Sequence, residues 1–269
     1  MSIAITDDHS ELAEVARSVI AARGAVASAR EATDSVTAGR SLSSRTGEVW
    51  KEIIALGWLG LHIDEEFGGQ GFGLAELAVV AEDRGRGGAP GAFLPTVVAS
   101  AVIAAAGSPE DKRRWLPGLC DGTLTAAVAL LSSPRTVGAS LLLSGESPEL
   151  VLVPDGADLL VLTDVDTDRL PVHTPIDRTR LVFEFSPGAE ASGTRLPGGV
   201  AIARRFAMAL AAVEATGGLQ ACTEMSVGYA MTREQFGRPI GSYQAIKHHC
   251  ANMMVDAQVS AALEWDVGR

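Results

Sequence analysis

The first 120 residues alternate between apolar stripes at helical spacing and short polar or glycine-rich breaks. Thr6, Asp7 and Asp8 are typical of a helix start, because a threonine side chain accepts a hydrogen bond from the first turn and acidic residues favour the positive end of the helix. An apolar stripe follows at positions 12, 15, 16, 19 and 20. Further helices are predicted over residues 48–56, 74–84, 95–106 and from Ser108 onward. Residues 23–45, rich in Ser, Thr, Ala and Gly, are predicted to form a frayed connection.

The pattern changes between residues 124 and 195 to short apolar runs separated by Pro, Gly and Asp. Such runs predict strands over residues 125–131, 141–143, 150–153, 159–162 and 181–185. These strands would form a small sheet or barrel.

Helical periodicity returns at about residue 199 and continues to residue 232. After a short break, a second helix is predicted from residue 242 to about 267. Its apolar residues form one seam, at positions 246, 250, 253, 257 and 261. A helix with a single apolar seam packs that seam against a neighbour.

The break between these two helices contains the most informative segment of the chain, residues 229–244, YAMTREQFGRPIGSYQ. Arg233 offers a planar charged fork suited to a phosphate or pyrophosphate, although an arginine at a helix end also serves to cap exposed carbonyl groups. Phe236 and Tyr243 offer aromatic faces, with packing in the bundle as their alternative role. Gln235 and Gln244 both donate and accept hydrogen bonds. Together these groups suit a large, planar cofactor that carries a diphosphate.

This segment strongly resembles the flavin-contacting signature of the acyl-CoA dehydrogenases, and the resemblance covers most of the chain. Residues 57–61 (GWLGL) and 65–71 (EEFGGQG) are similar to a loop of that family, with Asp64 where proline is usual. Residues 115–119 (WLPGL) and Gly122 resemble the segment that leads into the family's middle domain. Residues 244–269 resemble the long helix after the flavin turn.

The resemblance implies an α+β fold that is mostly α. The expected parts are an N-terminal helical domain at 1–122, a shortened middle β-domain at 123–196 and a C-terminal helical bundle at 197–269, incomplete in this chain. It also implies FAD as cofactor and the α,β-dehydrogenation of an acyl-CoA thioester, including a steroid side-chain CoA. In this interpretation Arg233 binds the FAD pyrophosphate, Gln235 and Phe236 its adenosine side, and Tyr243 and Gln244 the adjoining edge.

Two departures from the family pattern limit what this chain is expected to do alone. Residues 129–134 read ALLSSP where the family has an AmTEP segment that touches the flavin ring, and the family's W-I-T/S strand has no counterpart. The catalytic glutamate that some members carry on the first bundle helix corresponds to Ala207 here. Glu214, two turns further along the same helix, is one candidate stand-in, with a solvated or bundle-polar role as its alternative.

Both departures resemble the smaller subunits of heteromeric (α2β2) acyl-CoA dehydrogenases. The implied partners are therefore an acyl-CoA substrate, a homologous subunit that supplies most of the flavin site and the base, and an electron-transfer flavoprotein as acceptor. Two alternatives remain open. One is a flavin-free structural or regulatory paralogue, which would contain no flavin in any assembly. The other is a flavin monooxygenase of the same fold, which would show oxygen-dependent turnover without a CoA requirement.

Composition and charge indicate where the protein is located and which ligands it does not bind, but not which reaction it catalyses. The net charge of −11 argues against a nucleic-acid-binding surface. No apolar run reaches the ~20 residues of a membrane helix, and three widely spaced cysteines predict no disulfide framework, so a cytoplasmic location is expected. No metal site is expected, because the adjacent side chains of His248, His249 and Cys250 point about 100° apart on a helix.

Overall fold

The computed structural model describes residues 6–23, 25–37, 47–132, 136–145, 147–186 and 192–267. This part of the chain contains eight α-helices and one large sheet, so the mostly helical α+β fold is confirmed. The helices are α1 (Asp7–Ala22), α2 (Ala25–Thr37), α3 (Glu48–Ala55), α4 (Leu74–Gly87), α5 (Phe93–Ala106), α6 (Pro109–Cys120), α7 (Gly199–Thr232) and α8 (Gln244–Val267).

The predicted frayed connection is wrong over α2. Its buried residues are alanines, Ala25 and Ala32, so its apolar stripe has too little bulk to stand out in the sequence. The stripe lies against glycines at the end of α4: a Cβ atom on Gly87 would lie 3.2 Å from that of Ala25, and one on Gly88 3.7 Å from that of Ala29. Small residues on both sides let the backbones approach closely, and this contact orders the helix. Residue 24 and residues 38–45 of the predicted connection lie outside the described residues.

Helix α5 forms the centre of the helical layer. Its residues are apolar almost all round, and most of them are fully buried, which is typical of a helix surrounded by other elements. Two of its polar residues, Thr96 and Ser100, are 0% exposed. Thr96 accepts a hydrogen bond from the backbone N–H of Ala126 on the first strand at 3.4 Å, which joins the helical layer to the sheet.

The sheet has seven strands in the order β5-β6-β2-β1-β3-β4-β7. All neighbours are antiparallel except β1 and β3, which are parallel. The five predicted strands are confirmed, while two short strands, β5 and β7, were missed because they hold too few residues to show an alternating pattern. The strands are β1 (Ala126–Ser132), β2 (Ser140–Ser144), β3 (Leu150–Asp155), β4 (Asp158–Leu162), β5 (Val172–His173), β6 (Leu181–Phe185) and β7 (Thr194–Leu196).

Both faces of this sheet bury apolar side chains. Alternate residues of β1 and β3, such as Val128 and Leu152, join the main core with the helices. The residues between them, such as Ala129 and Val153, join a second cluster with Leu142 and Phe183. Side chains alternate between faces along a strand, so one sheet serves both cores. The domain boundaries at 122/123 and 196/197 stay a prediction.

Helices α4 and α7 cross with their backbones in contact. A Cβ atom on Gly217 would lie 1.9 Å from the carbonyl oxygen of Glu82, and one on Gly85 would lie 2.0 Å from the carbonyl oxygen of Glu214. No side chain fits at either distance. These two glycines therefore fix how closely the long helix α7 lies on the N-terminal helices.

The predicted seam of α8 is confirmed as its inner face. Ala257 is buried, and Ile246, Cys250 and Met253 are partly buried, whereas Val255 is exposed. The seam packs on α7, so α7 and α8 form an antiparallel hairpin. Among the helices of the described ranges, none carries an apolar stretch long enough to cross a bilayer.

A glycine-rich loop between α3 and α4 folds back on itself. A Cβ atom on Gly69 would lie 1.9 Å from the carbonyl oxygen of Ile63, so only glycine fits there. The loop holds His62 in place between two buried neighbours, Leu61 and Ile63. Its backbone hydrogen bonds run from the N–H groups of Gln70, Gly71 and Phe72 to the carbonyl groups of Gly60, Ile63 and Leu61, at 2.9, 2.9 and 2.8 Å.

Candidate functional site

The segment between α7 and α8 is a tight β-hairpin. Its strands, β8 (Glu234–Gln235) and β9 (Arg238–Pro239), are joined by Phe236 and Gly237. These two residues have φ angles of +55° and +78°, the combination that a two-residue type I′ turn requires. A phenylalanine in this left-handed region costs about 1–2 kcal/mol, and its side chain is 92% exposed. Burial within the chain therefore does not offset the strain, which points to a binding role for the aromatic side chain.

Tyr243 braces the hairpin from the start of α8. Its hydroxyl group donates a hydrogen bond to the carbonyl oxygen of Gln235 at 2.9 Å. The edge of its ring meets Phe236 with a centroid distance of 6.4 Å. The guanidinium group of Arg238 lies 4.1 Å from the centroid of the Tyr243 ring. Sequence reasoning missed Arg238, although its place opposite Gln235 in a two-residue hairpin would have brought it to the same cluster.

Arg233 lies where α7 ends. Its backbone N–H donates to the carbonyl oxygen of Tyr229, and its own carbonyl oxygen accepts from the N–H of Ile240, both at 2.8 Å. The main chain of Arg233 is thus fixed while its side chain is exposed. The Arg233 side chain forms no ion pair with any of the described residues. Capping of α7 uses the backbone of Arg233, which leaves the guanidinium group available for an anion.

The two glutamines of the predicted site make only local contacts. The Gln235 side-chain amide donates to the carbonyl oxygen of Glu234 at 2.7 Å, and that of Gln244 lies 3.2 Å from Nε2 of His248. Both residues are exposed. The structure therefore brings all five predicted cofactor contacts, residues 233, 235, 236, 243 and 244, into one exposed hairpin and the first turn of α8.

A pocket lies at the opposite end of α7, against the end of β1. Its volume is about 400 Å³, and its walls include residues 129–132, Ser140 of β2 and Val200, Ala203 and Arg204 of α7. Strand β1 bulges here: Ala129 pairs with Leu142 and Leu131 with Leu141, so Leu130 is an extra residue. Bulges are common next to functional sites because they redirect side chains. The part of the ALLSSP segment beyond Ser132 lies outside the described residues.

The hairpin and the pocket are too far apart to contact the same FAD molecule within one chain. The 30 residues from Ala203 to Arg233 correspond to about 45 Å along an α-helix, well beyond the length of an extended FAD. The cations and aromatic faces of the hairpin suit a diphosphate and an adenine ring.

Glu214, the stand-in base, lies in the middle of α7 and is 8% exposed. Its carboxylate forms an ion pair with Arg180, which precedes β6 and also faces Asp177 at 3.3 Å. Burial alone would lower the pKa of Arg180, but the charges of Glu214 and Asp177 raise it overall. Glu214 also lies about 16 Å along the helix from Ala203. Its surroundings fit a structural ion pair between α7 and the sheet. Ala207, the position at which some members of the family carry the catalytic glutamate, is buried in the core.

Comparison with known proteins identifies the family. Residues 6–123 match the family described as acyl-CoA dehydrogenase, N-terminal domain, and residues 201–269 match the acyl-CoA dehydrogenase, C-terminal domain. These two ranges together cover more than half of the chain. The hairpin and both helices of the bundle lie inside the second range.

Curated relatives carry the same family name. Acyl-CoA dehydrogenase IpdE2 of Mycolicibacterium smegmatis is 32% identical over 211 residues, 78% of this chain and 62% of the relative. Acyl-CoA dehydrogenase FadE34 of Mycobacterium tuberculosis is 30% identical over 291 residues, 100% of this chain and 38% of the relative. The chain thus spans less than two thirds of the length of either relative.

Solved structures have the same fold. The Tcur3481-Tcur3483 steroid ACAD, solved as a variant, matches with a TM-score of 0.81 and 25% identity over 97% of this chain and 77% of that chain. The ChsE4-ChsE5 complex of Mycobacterium tuberculosis matches with a TM-score of 0.82 and 24% identity over 99% of this chain and 79% of that chain. FAD is the cofactor of the family, and one further neighbour, PigA, has been solved with FAD and proline. The chain belongs to the acyl-CoA dehydrogenase family.

Proposed function

We propose that this chain is a subunit of an FAD-dependent acyl-CoA dehydrogenase in which FAD lies between two subunits. The separation of the hairpin and the pocket carries this proposal. Because about 45 Å of helix divides them, the hairpin of one subunit serves an FAD molecule whose ring system lies in the pocket of another. Arg233 and Arg238 would face the diphosphate, and Phe236 and Tyr243 would face the adenine.

The proposed reaction removes two hydrogens from adjacent carbons of an acyl-CoA thioester. The α-carbon loses a proton to a base, the β-carbon loses a hydride, and a C=C bond forms between them. FAD, when bound, supplies the hydride acceptor. The residues of this chain hold the cofactor at its diphosphate end and form the wall of the pocket where β1 meets α7. Arg204, which lines the pocket, would attract the phosphate groups of the CoA part of the substrate.

The base that takes the α-proton is not one of the described residues that line the pocket. Among the described residues that line the pocket, none is acidic. Glu214 is held by Arg180, and moving a buried, paired carboxylate would leave Arg180 without its counter-charge. We therefore assign the α-proton to a carboxylate of a partner subunit.

The proposed partner is a homologous acyl-CoA dehydrogenase subunit in an α2β2 assembly. Exposed apolar side chains on the α7–α8 hairpin support a docking surface there, because large apolar patches on soluble proteins mark interaction sites. They are Met225, Tyr229, Met231, Val259 and Leu263, exposed by 73, 60, 69, 53 and 62%. The names of two structural neighbours, a complex of two proteins and a steroid ACAD, support a heteromeric assembly and a steroid side-chain CoA as substrate. An electron-transfer flavoprotein is the proposed acceptor.

Replacing Arg233 tests the proposed cofactor contact. Arg233→Ala removes a charge-assisted hydrogen bond worth about 1.5–3 kcal/mol, so the affinity for FAD should fall by about 10- to 150-fold. The measurement is the FAD content and the FAD dissociation constant of the assembled protein, from absorbance and fluorescence. Arg169→Ala is the matched control, because Arg169 is exposed and far from the hairpin in sequence.

The proposal makes opposite predictions for the two variants. Arg169→Ala should retain FAD like the unaltered protein, and both variants should unfold at the same temperature as the unaltered apoprotein. Unchanged FAD affinity in Arg233→Ala would remove the hairpin from the cofactor site. A flavin-free protein in every assembly would instead favour the structural paralogue.

A further inference from the structure

The α2–α7 groove is an open channel between these two helices, with residues 85–88 of α4 along its length. Two cavities overlap in it, of about 340 and 480 Å³, and both are lined by Val26, Arg86, Gly87, Ala221 and Met225. The smaller cavity continues to Ile20 of α1, and the larger one continues to Asp34 near the end of α2. The groove shares no residue with the pocket beside β1 or with the hairpin.

The walls of the groove are mostly apolar. Val26 on α2 and Met225 on α7 line both cavities, and they are 55 and 73% exposed. Their neighbours in the walls include the small residues Ala29 and Ala221. Cavities of about 300–1,000 Å³ with apolar walls and a few polar groups are typical of small-molecule sites. A ligand that removes Val26 and Met225 from water is therefore stabilised by the hydrophobic effect.

The absence of a side chain at Gly218 leaves part of the groove open. A Cβ atom on this glycine of α7 would meet one atom within 4 Å, the carbonyl oxygen of Gly85 at an ordinary contact distance of 3.7 Å. Gly87 differs, because its Cβ atom would lie 2.5 Å from Cγ2 of Ile20. Packing thus requires a glycine at position 87 but not at position 218. A longer side chain on residue 218 would extend into the groove.

Arg30 is the arginine of the groove that remains available to a ligand. Arg17 donates from Nε to the carboxylate of Asp83 at 3.0 Å, and Arg86 pairs with Glu224. Arg30 lines the larger cavity, is exposed and forms no ion pair with any of the described residues. Asp34 follows one turn later on α2, and it does not pair with Arg30 either. The guanidinium group of Arg30 therefore offers its N–H donors to an anion.

The size of the groove favours an extended chain over a docked helix. One turn of an α-helix, about 5.4 Å long and 10 Å wide, occupies about 420 Å³. The larger cavity would thus hold about one turn, which is too little for a helix to dock by its apolar face. An unbranched hydrocarbon chain is much narrower and could contact both walls along the whole groove.

We propose that the α2–α7 groove binds a long-chain carboxylate, with its hydrocarbon chain between Val26 and Met225 and its carboxylate at Arg30. Arginine and a carboxylate form strong charge-assisted hydrogen bonds, often as a bidentate pair. This site is independent of the proposed dehydrogenation, since it uses neither the pocket nor the hairpin. Met225 is the one residue that it shares with the proposed docking surface on α7 and α8, so subunit association is measured in the same experiment.

Paired ligands test the role of Arg30. Decanoate, dodecanoate and tetradecanoate would each be compared with the methyl ester of the same acid, by calorimetry on the assembled protein below the concentrations at which the acids form micelles. Each methylene group that enters the groove should raise the affinity by about two- to fourfold. The uncharged ester should bind about tenfold more weakly than the acid. In Arg30→Gln the acid and the ester should bind equally, and this ratio within one variant does not depend on stability.

A matched pair of substitutions on α7 tests the location of the chain. Gly218→Leu fills the groove and should lower the affinity for dodecanoate by at least about tenfold. Gly228→Leu places the same side chain on the same helix, where an added Cβ atom meets nothing within 4 Å, and should bind dodecanoate like the unaltered protein.

Three results would overturn the inference. One is equal affinity of the unaltered protein for acid and ester, and another is tight binding of dodecanoate by Gly218→Leu. The third is an unaltered protein that binds no acid, together with an assembly that dissociates in Gly218→Leu but not in Gly228→Leu by native mass spectrometry. That result would make the groove a contact between subunits instead of a ligand site.

Discussion

At the scale of single residues, the most unusual feature is Arg84, a buried arginine without an ion pair among the described residues, close to a buried carboxylate that pairs with a different arginine. Arg84 is 1% exposed, its guanidinium group lies 4.4 Å from the centroid of the Phe93 ring, and it donates to the carbonyl oxygen of Ala89. Its Nε and Nη1 atoms have no hydrogen-bond partner among the described residues. Burial lowers the pKa of Arg84 to about 10. Glu214, in contrast, has a direct partner in Arg180.

These contacts predict opposite effects for two matched substitutions. Arg84→Met should raise the free energy of unfolding by about 1 kcal/mol, because an apolar side chain of similar length replaces a poorly paired buried charge. Arg180→Met should lower it by about 3 kcal/mol, because Glu214 then stays buried without its partner. Urea denaturation of both variants measures the two effects. Destabilisation by both substitutions to the same extent would contradict this assignment of the ion pair.

The neutral state of His62 predicts a loss of stability in mild acid. Its pKa in the folded protein, about 4, lies below the usual value of 6.5. Above pH 6.5 both states are neutral and the residue has no effect. As the pH falls from 6.5 to 4, the unfolded chain binds a proton that the folded protein does not, so the free energy of unfolding falls by at most about 3 kcal/mol.

Denaturation curves between pH 4 and pH 7 check this prediction by comparison of variants. His62→Phe should lose part of the pH dependence, whereas His249→Phe, a change at an exposed histidine of α8, should keep all of it. Identical slopes for the two variants would show that His62 does not titrate in this way.

At the scale of elements, the crossing of α4 and α7 depends on two glycines that the sequence does not distinguish from others. Gly217→Ala should lower the free energy of unfolding by at least about 2 kcal/mol, because its Cβ atom would lie 1.9 Å from the carbonyl oxygen of Glu82 and the helices would have to separate. Gly228→Ala, in the same helix, meets no atom within 4 Å. It should instead raise the free energy of unfolding by about 1 kcal/mol through helix propensity.

Thermal unfolding of the two glycine variants measures both effects. A stable Gly217→Ala protein would mean that α4 and α7 do not touch at this point.

The sequence predicted most elements because their apolar residues are bulky and regularly spaced. The five long strands and helices α5 and α7 have clear patterns, and so does the seam of α8. Helix α2 was missed because alanines form its buried face, and β5 and β7 were missed because they are two and three residues long. A sequence pattern reveals an element when its apolar residues are large and regularly spaced. The buried residues of α2 are too small, and β5 and β7 are too short to show a regular spacing.

The candidate site divides in a similar way. Residues 233–244 stood out because charged, amide and aromatic groups are concentrated in a short segment. The left-handed backbone at Phe236 and the stacking of Arg238 on Tyr243 depend on the turn type, which the hairpin pairing determines. The hydrogen bond between His62 and Ser100 joins residues that lie 38 positions apart in sequence. A contact between such distant residues leaves no local pattern to read.

At the scale of the whole molecule, α7 connects the two candidate sites. One end forms the pocket with β1, and the other carries the hairpin. Because one FAD molecule cannot reach both, the proposed cofactor site needs at least two subunits. A chain of this family that keeps the hairpin exposed is thus expected to hold FAD only in an assembly.

Native mass spectrometry distinguishes an FAD site shared between subunits from a site within one subunit. The protein would be measured alone and with a co-expressed homologous subunit, and the mass of each species gives both its number of subunits and its number of FAD molecules. FAD is expected only in species with two or more subunits, and it should be lost from Arg233→Ala assemblies that remain intact. A monomer of this chain that retains one FAD molecule would contradict the shared site.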